Sequence, residues 1–368
     1  NKLDDEMTKN NELTNKIKGY RNKNNELNNN ITIIKQENIE LNDKVTKLSD
    51  ELKNLKNNEQ KNESKLNKIL DEQQKNKKDL SRFSLIASNV SLKSANFSGK
   101  DLSGENFSGQ KLENADFSQC KLKGTNFDGC NLTNANFKNA DLTNAILSNA
   151  MLHGSNMEGT ELVGCNLNNS VLINVKITNT DLSNMNFENT KFSNSELDNI
   201  KFNDSILSNA MFDNAILNKI SFDECVLTGG SLKNCQINET TFDRAKCDKA
   251  IFDGSKLVNI SFRDTDLYNS SFNKATFNNI IFSNAMLNGT IFTETNLTSL
   301  NFSKLDMKET IFDKAILNKT DFSGAKLTKC SIIEADLTEC NFEKSSLKST
   351  KLRGSKFVGT IITNATFN

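Results

Sequence analysis

From Leu92 to Phe367, every position whose number ends in 2 or 7 is Leu, Phe, Ile or Met, with Cys247 as the exception. The rule holds for about 56 consecutive units without an insertion or deletion. Helices repeat every 3.6 residues and strands every two, so neither element explains a period of five. Positions ending in 0 or 5 are mostly small, as at Ala95, Cys120, Ala135, Ala210, Thr265 and Ala335. In the stretch Phe212–Leu227, Ala215, Ile220 and Cys225 each precede a large residue by two. Side chains alternate along extended backbone, so the large residue and the small one before it share a direction. Both are expected to point inward, leaving the other three residues to face out and form a corner. Two residues after the large one, Gly99, Gly104, Asn134, Asn139, Asn184 and Asn189 supply types that tolerate left-handed backbone.

The inward column sets the number of sides. Ile200, Ile220, Ile260, Ile280 and Leu300 are bulky where the rule prefers small residues, and they fall on a twenty-residue spacing interrupted by Thr240. Phe202, Phe222, Phe242, Phe262, Phe282, Phe302, Phe322 and Phe342 recur on the same spacing without a gap. Four units per coil stack like on like, which predicts a square solenoid of about 14 coils and about 65 Å at a strand spacing of ~4.8 Å. The absence of Pro fits, since Pro removes a donor from such ladders.

Several units read Ala-Asp followed by a large residue: Ala115-Asp116-Phe117-Ser118-Gln119, Ala140-Asp141-Leu142-Thr143-Asn144 and Ala335-Asp336-Leu337-Thr338-Glu339. This pattern resembles the pentapeptide-repeat family, over about three quarters of the chain. The resemblance implies a right-handed quadrilateral β-helix, an all-β solenoid that serves as a scaffold on which sites are placed. It also implies a possible function, because some members bind DNA gyrase and resemble duplex DNA in shape and charge.

Residues 1–83 follow a different period and are expected to form a separate coiled-coil helix, with the solenoid occupying 84–368. Ile17, Asn24, Ile31, Asn38, Val45 and Leu52 take heptad position a, and Leu13, Tyr20, Leu27, Ile34, Leu41, Leu48 and Leu55 take position d. The phase lapses at Glu59 and Asn62 and resumes with Leu66, Ile69, Leu80 and Phe83. β-Branched residues at a with Leu at d favour a parallel two-stranded coil, and Asn at a fixes register at a cost in stability. A parallel homodimer is therefore expected, the alternatives being a hetero-coil or a solvated helix packed along a partner. Gly19 and the lapse near Glu59 are the expected weak points.

From Leu92 to Phe137, Leu at 2 alternates with Phe at 7; after Phe187 and Phe192 the preference reverses, and Leu142–Leu182 carries no Phe. The slip by one side reads either as a join between two repeat blocks or as drift in a tolerant core.

Little in the sequence suggests chemistry. Seven cysteines (Cys120, Cys130, Cys165, Cys225, Cys235, Cys330, Cys340) fall in the small inward slot and Cys247 in a large one. They read as reduced core residues, which implies a reducing, cytoplasmic setting. His153, the single histidine, is outward and lacks an acidic or Cys neighbourhood. Asp101, Asp116, Asp141 and Asp181 are outward, are expected at corners, and follow the repeat motif rather than forming a catalytic pair. Sequons such as Asn131-Leu132-Thr133 arise from the repeat composition, and no phosphate loop, nucleophile elbow or zinc spacing occurs. No enzyme activity, cofactor, metal or small-molecule substrate is expected. Lys+Arg and Asp+Glu balance at 46 each, which disfavours a nucleic-acid partner held by basic charge. No apolar run approaches the ~20 residues of a membrane span. Because the chain starts at Asn1, an upstream segment carrying any targeting signal is expected.

The position before the large residue should face solvent, yet one column there holds Met151, Val171, Met211, Ile251, Ile291 and Ile311. A neighbouring column holds Ile146, Ile206, Val226 and Met286, and Lys191, Ser231, Ser271 and Lys246 interrupt the two. The stripe reads as a docking surface for protein partners, against the plain alternative that scattered exposed apolar groups are normal. The ends of a solenoid need covering: Phe83, Leu85 and Ile86 are expected to cap the first coil, and the last coil to stack on a partner or another copy. The function these features favour is a non-enzymatic scaffold or adaptor, a coil-associated rigid rod in a larger assembly. The alternatives are a DNA-mimicking gyrase binder and a secreted effector or surface protein.

Overall fold

The structure, a computed structural model, describes residues 2–75 and 92–367. Two compact units divide between Lys78 and Asp79, within the stretch outside those residues. Phe83, Leu85 and Ile86, proposed above as a cap, also lie outside the described residues, as does the expected change of domain at 83/84.

The first unit is one helix, α1 (Lys2–Lys75). It runs unbroken through Gly19 and Glu59, so neither proposed weak point interrupts it. Its described apolar heptad residues stand exposed: Ile31 at 44% and Leu48 at 64% bracket the exposure of Leu13, Ile17, Leu27, Ile34, Leu41, Val45, Leu52 and Leu55. Propensity and intrahelical bonds can form such a helix, but an apolar stripe left in water adds nothing to its stability.

The second unit is a parallel β-solenoid with twenty residues per coil. Bridges of register i to i+20 run from Asn96↔Asp116 to Ser346↔Thr366. The period of five follows from a complete account of backbone donors. Within each unit the large residue donates to the next coil, as Phe117 N–H does to Asn136 O at 2.7 Å. The residue before it donates to the previous coil, as Asp116 N–H does to Ala95 O at 2.9 Å. The residue two after the large one donates to the next coil (Gln119 N–H to Lys138 O, 2.9 Å), and the small residue closes the turn (Cys120 N–H to Phe117 O, 3.1 Å). The fifth N–H meets a side chain: Asn126 Oδ1 accepts from Asp128 N–H at 2.9 Å, and Asp321 Oδ1 from Ser323 N–H at 2.9 Å. That bond explains the Asp or Asn of the motif. It also corrects the placement of Asp101, Asp116, Asp141 and Asp181, which sit on the bridged flat of each side and reach toward the corner.

Every corner residue from Ser94 to Asn364 has positive φ. Gly or Asn often fills it, but Lys, Glu, Arg and Ser are held there too, as at Lys314 with φ 59°. Successive corners bond along the rod, through amides (Asn199 Nδ2 to Asn179 Oδ1, 2.9 Å) or through ion pairs (Arg244 to Glu224, 2.6 Å). One corner column departs from the tight turn. There strand pairing runs into the corner, although its residues keep positive φ (Asn199 56°, Asn259 57°), giving β1 (Lys176–Asp181), β2 (Glu196–Lys201), β3 (Ile216–Asn218), β4 (Gln236–Asn238), β5 (Lys256–Ser261) and β6 (Thr276–Ile281), paired in that order as one parallel sheet. In this column Ile200, Ile220, Ile260 and Ile280 are bulky and buried, whereas Thr180 and Thr240 are small, so inward volume alone does not set the corner. Leu300 breaks the series: it is half-buried and its turn closes at 3.2 Å.

The interior is laddered. All large slots from Leu92 to Leu347 are buried except Phe277, which is half-buried. Phe rings one coil apart stack, as Phe97 and Phe117 do at 4.8 Å, while rings two sides apart meet edge-on, as Phe97 and Phe107 do at 5.7 Å. Rings stack on one pair of opposite walls through Phe137 and on the other pair from Phe192 onward. Among the described residues no ring contact joins the Phe137 and Phe187 blocks. At the chain-start end the inward slots hold Lys100, Glu105 and Gln110, all half-buried, and burial raises the Glu105 carboxyl above its ordinary value. In the last coil Phe357, Ile362 and Phe367 occupy large slots and remain exposed.

Candidate docking surfaces and the family of the chain

The inward slots offer no reactive centre. Cysteines there are buried and free, as the sequence reading has them, and most also donate a hydrogen bond. Cys120 Sγ donates to Phe97 O at 2.8 Å and Cys165 Sγ to Leu142 O at 2.7 Å, a carbonyl 23 residues earlier in each case. Cys130, Cys235, Cys330 and Cys340 repeat the bond. Thr125 Oγ1 makes the same contact with Leu102 O at 2.9 Å, so thiol and hydroxyl are interchangeable donors in this slot. Each such carbonyl already accepts the turn N–H, and the side chain fills its second lone pair. Burial pushes the thiols of Cys120 and Cys130 up to about 11 and those of Cys165, Cys235, Cys330 and Cys340 up to about 12, with Cys225 and Cys247 also raised. All eight are free and buried, which keeps them protonated and out of reach. Among the described residues no group of three His, Cys, Asp or Glu could hold a metal ion, and no helix is long and apolar enough to cross a membrane.

The outward columns are continuous ladders. Met151, Val171, Lys191, Met211, Ser231, Ile251, Ser271, Ile291, Ile311 and Ser331 are bridged in sequence, one per coil. Met151 is exposed, whereas Val171, Met211, Ile251, Ile291 and Ile311 are half-buried by the coils above and below. In the neighbouring column Ile146, Ile206 and Met286 are exposed and Val226 is half-buried. The interrupting serines are turned aside: Ser231, Ser271 and Ser331 donate their hydroxyls to Asp213, Asp253 and Asp313 on the coil before. The same Asp residues accept the N–H of Lys233, Asn273 and Ile333 at 2.9–3.1 Å. Sequence reading missed these clamps, whose signal is Phe-Asp with Ser eighteen residues after the Asp.

Apolar residues in these columns displace the Asp or Asn that the motif supplies. Among the described residues, the N–H groups of His153, Asp213, Asp253 and Asp313, two after Met151, Met211, Ile251 and Ile311, meet no protein acceptor. The Asp128 carboxylate shows the contrasting polar case. Hydrogen bonds from Ser148 and Asn149 hold it below the usual carboxylate range. The exposed apolar set is wider than the two columns. Val163, Ile216, Tyr268, Ile316, Val358 and Ile361 are also outward and exposed.

Comparison with known proteins accords with this geometry. No curated protein matches the chain. A pentapeptide repeat protein from the thylakoid lumen of Arabidopsis thaliana is 36% identical over 27% of this chain and 65% of its own, with a TM-score of 0.22, so this chain spans less than two thirds of that relative. HetL, a pentapeptide repeat protein involved in heterocyst differentiation regulation in the cyanobacterium Nostoc, is 17% identical over 74% of this chain and 91% of its own, with a TM-score of 0.21. The full-length plasmid-mediated fluoroquinolone resistance protein QnrB1 is 19% identical over 54% of this chain and 91% of its own, with a TM-score of 0.24. The family described as "Pentapeptide repeat region" matches residues 90–167 and 133–202, and the one described as "Pentapeptide repeats (8 copies)" matches five segments that together span 205–368. With those matches running over nearly the whole solenoid, this chain belongs to the pentapeptide-repeat family.

Proposed function

We propose that this protein is a non-enzymatic scaffold or adaptor, a rigid rod whose outward apolar columns dock other proteins while α1 associates through its heptad seam. One observation supports the reading above the rest. At Met151, Met211, Ile251 and Ile311 the repeat gives up its side-chain acceptor for an apolar group. A hydrogen bond with a net worth of about 1 kcal/mol is forgone at each such position. An apolar group in that slot offers a protein partner a surface that Asp or Asn would not. The DNA-mimic alternative has less support. Residues 92–368 carry 31 acidic and 28 basic side chains. Duplex DNA about 65 Å long carries roughly 38 negative charges.

The test is affinity capture with the intact chain beside a version carrying Ile251→Asp, Ile291→Asp and Ile311→Asp, with thermal unfolding to establish that the solenoid survives. Loss of specific partners from the folded triple variant supports docking by the column. Recovery of the same partners by both baits rejects it, and recovery of gyrase revives the alternative.

A further inference from the structure

We infer that the occupant of the α1 seam is a helix of another protein bearing Glu or Asp on both sides of its own apolar stripe, rather than a second copy of this chain. The inference rests on the reading of α1 as an association element and names the chemistry of its partner. Positions e and g flank an a/d seam and decide partner choice by charge. Along residues 13–57 of α1, those positions carry six cations, Lys16, Arg21, Lys23, Lys35, Lys44 and Lys56, and two anions, Glu37 and Glu51. The face away from the seam has the opposite balance, with Glu26, Glu40, Asp43 and Asp50 against Lys18, Lys47 and Lys53. Cations are thus concentrated beside the apolar stripe, while the face behind it is near balance. Among the described residues, no ion pair within the chain engages the six cations.

Self-pairing uses this arrangement poorly. In a parallel pair each g position faces the e position five residues on in the other helix. Lys16 then opposes Arg21, Glu51 gains Lys56, and Lys23, Glu37 and Lys44 face Asn28, Asn42 and Ser49. One repulsion offsets one attraction. In an antiparallel pair e faces e and g faces g; the charged e positions, Arg21, Lys35 and Lys56, are all cations, and the charged g positions, Lys16, Lys23, Glu37, Lys44 and Glu51, include three cations and two anions. A helix with acidic flanks turns all six cations into attractions. A lipid surface would also attract them, but Asn24 and Asn38 at a lie in the middle of the stripe, where hydrocarbon offers no partner and a facing Asn does.

The experiment uses the full chain and two synthetic helical peptides. Both repeat the a and d residues of Leu13–Leu55 in register, one with Glu at every e and g position and one with Lys there. Sedimentation equilibrium gives the association state of the chain alone, and titration calorimetry gives the peptide affinities. The chain should be monomeric and should prefer the acidic peptide by at least about tenfold at low salt. That preference should shrink as salt rises from about 50 mM to about 500 mM. Replacing the six cations with Glu (K16E, R21E, K23E, K35E, K44E, K56E) should reverse it. Equal affinity for the two peptides, or a stable dimer that the acidic peptide does not dissociate, overturns the acidic-partner inference while leaving α1 an association helix. Binding of neither peptide by a monomeric chain overturns that underlying reading as well. Binding only to vesicles of equal parts phosphatidylcholine and phosphatidylserine overturns both in favour of a lipid surface.

Discussion

The solenoid and α1 use similar apolar side chains to opposite ends. Phe222 and Leu227 are wholly buried within their own chain, while Leu41 and Leu48 stand exposed at 61% and 64%. The difference is one of period. A repeat of five, closed every twenty residues, brings each large inward residue onto another inward residue a coil away, so the chain supplies its own core. A repeat of seven on a single helix brings the residues onto one face but provides nothing to cover it. The solenoid should therefore have an unfolding transition of its own, and the state of α1 should depend on what it binds.

Alkali should break this contrast most forcefully. The eight buried thiols titrate above their unfolded value, so the folded chain keeps protons that the unfolded chain releases. Their contribution is whole below the unfolded value near 8.5 and is lost as pH rises toward the folded values. A thiol held at about 11 or 12 costs about 2 kcal/mol by pH 10, and Cys225 and Cys247 act in the same direction. The thermal midpoint of the solenoid should drop steeply between about pH 9 and pH 10.5, while α1, which has no Cys, keeps its helical circular dichroism. An unchanged midpoint would show that the thiols titrate normally.

A single interior truncation is the next largest effect. Phe222 stacks on Phe202 at 5.3 Å and Phe242 at 4.8 Å, so Phe222→Ala should destabilise the solenoid by about 3–5 kcal/mol in urea unfolding. Corner strain is smaller and runs the other way. Lys314→Gly relieves a left-handed backbone and should stabilise by up to about 1 kcal/mol, since the gain is partly offset by glycine's freedom in the unfolded chain. A loss on this substitution would mean that the Lys side chain contributes packing along its corner column. Smallest of all, Leu41→Ala should leave the solenoid midpoint where it is while weakening any association through α1, and a shifted midpoint would mean that the two units unfold together.

Much of this was legible in the residue numbers. Positions ending in 2 and 7 marked the large ladder, the bulky residues at twenty-residue intervals gave four sides per coil, and Gly99 or Asn184 marked the left-handed corner. The outward columns were equally legible as positions. Their clamps were not, because Asp213 and Ser231 become neighbours only when a coil closes. The partners of Cys120 and Cys165 were hidden for the same reason, since a carbonyl 23 residues earlier has no signature in local sequence.

What the sequence by itself determined is the period, the sense of every side chain and the change of architecture between helix and solenoid. These follow from backbone sterics and side-chain alternation, which act over a few residues. What only the tertiary structure decided is at which corners strand pairing continues, as at β1–β6, and which side-chain donors complete the carbonyls of the coil before. Both depend on hydrogen-bonding groups contributed by residues a full coil away, and those meet only once the rod has formed.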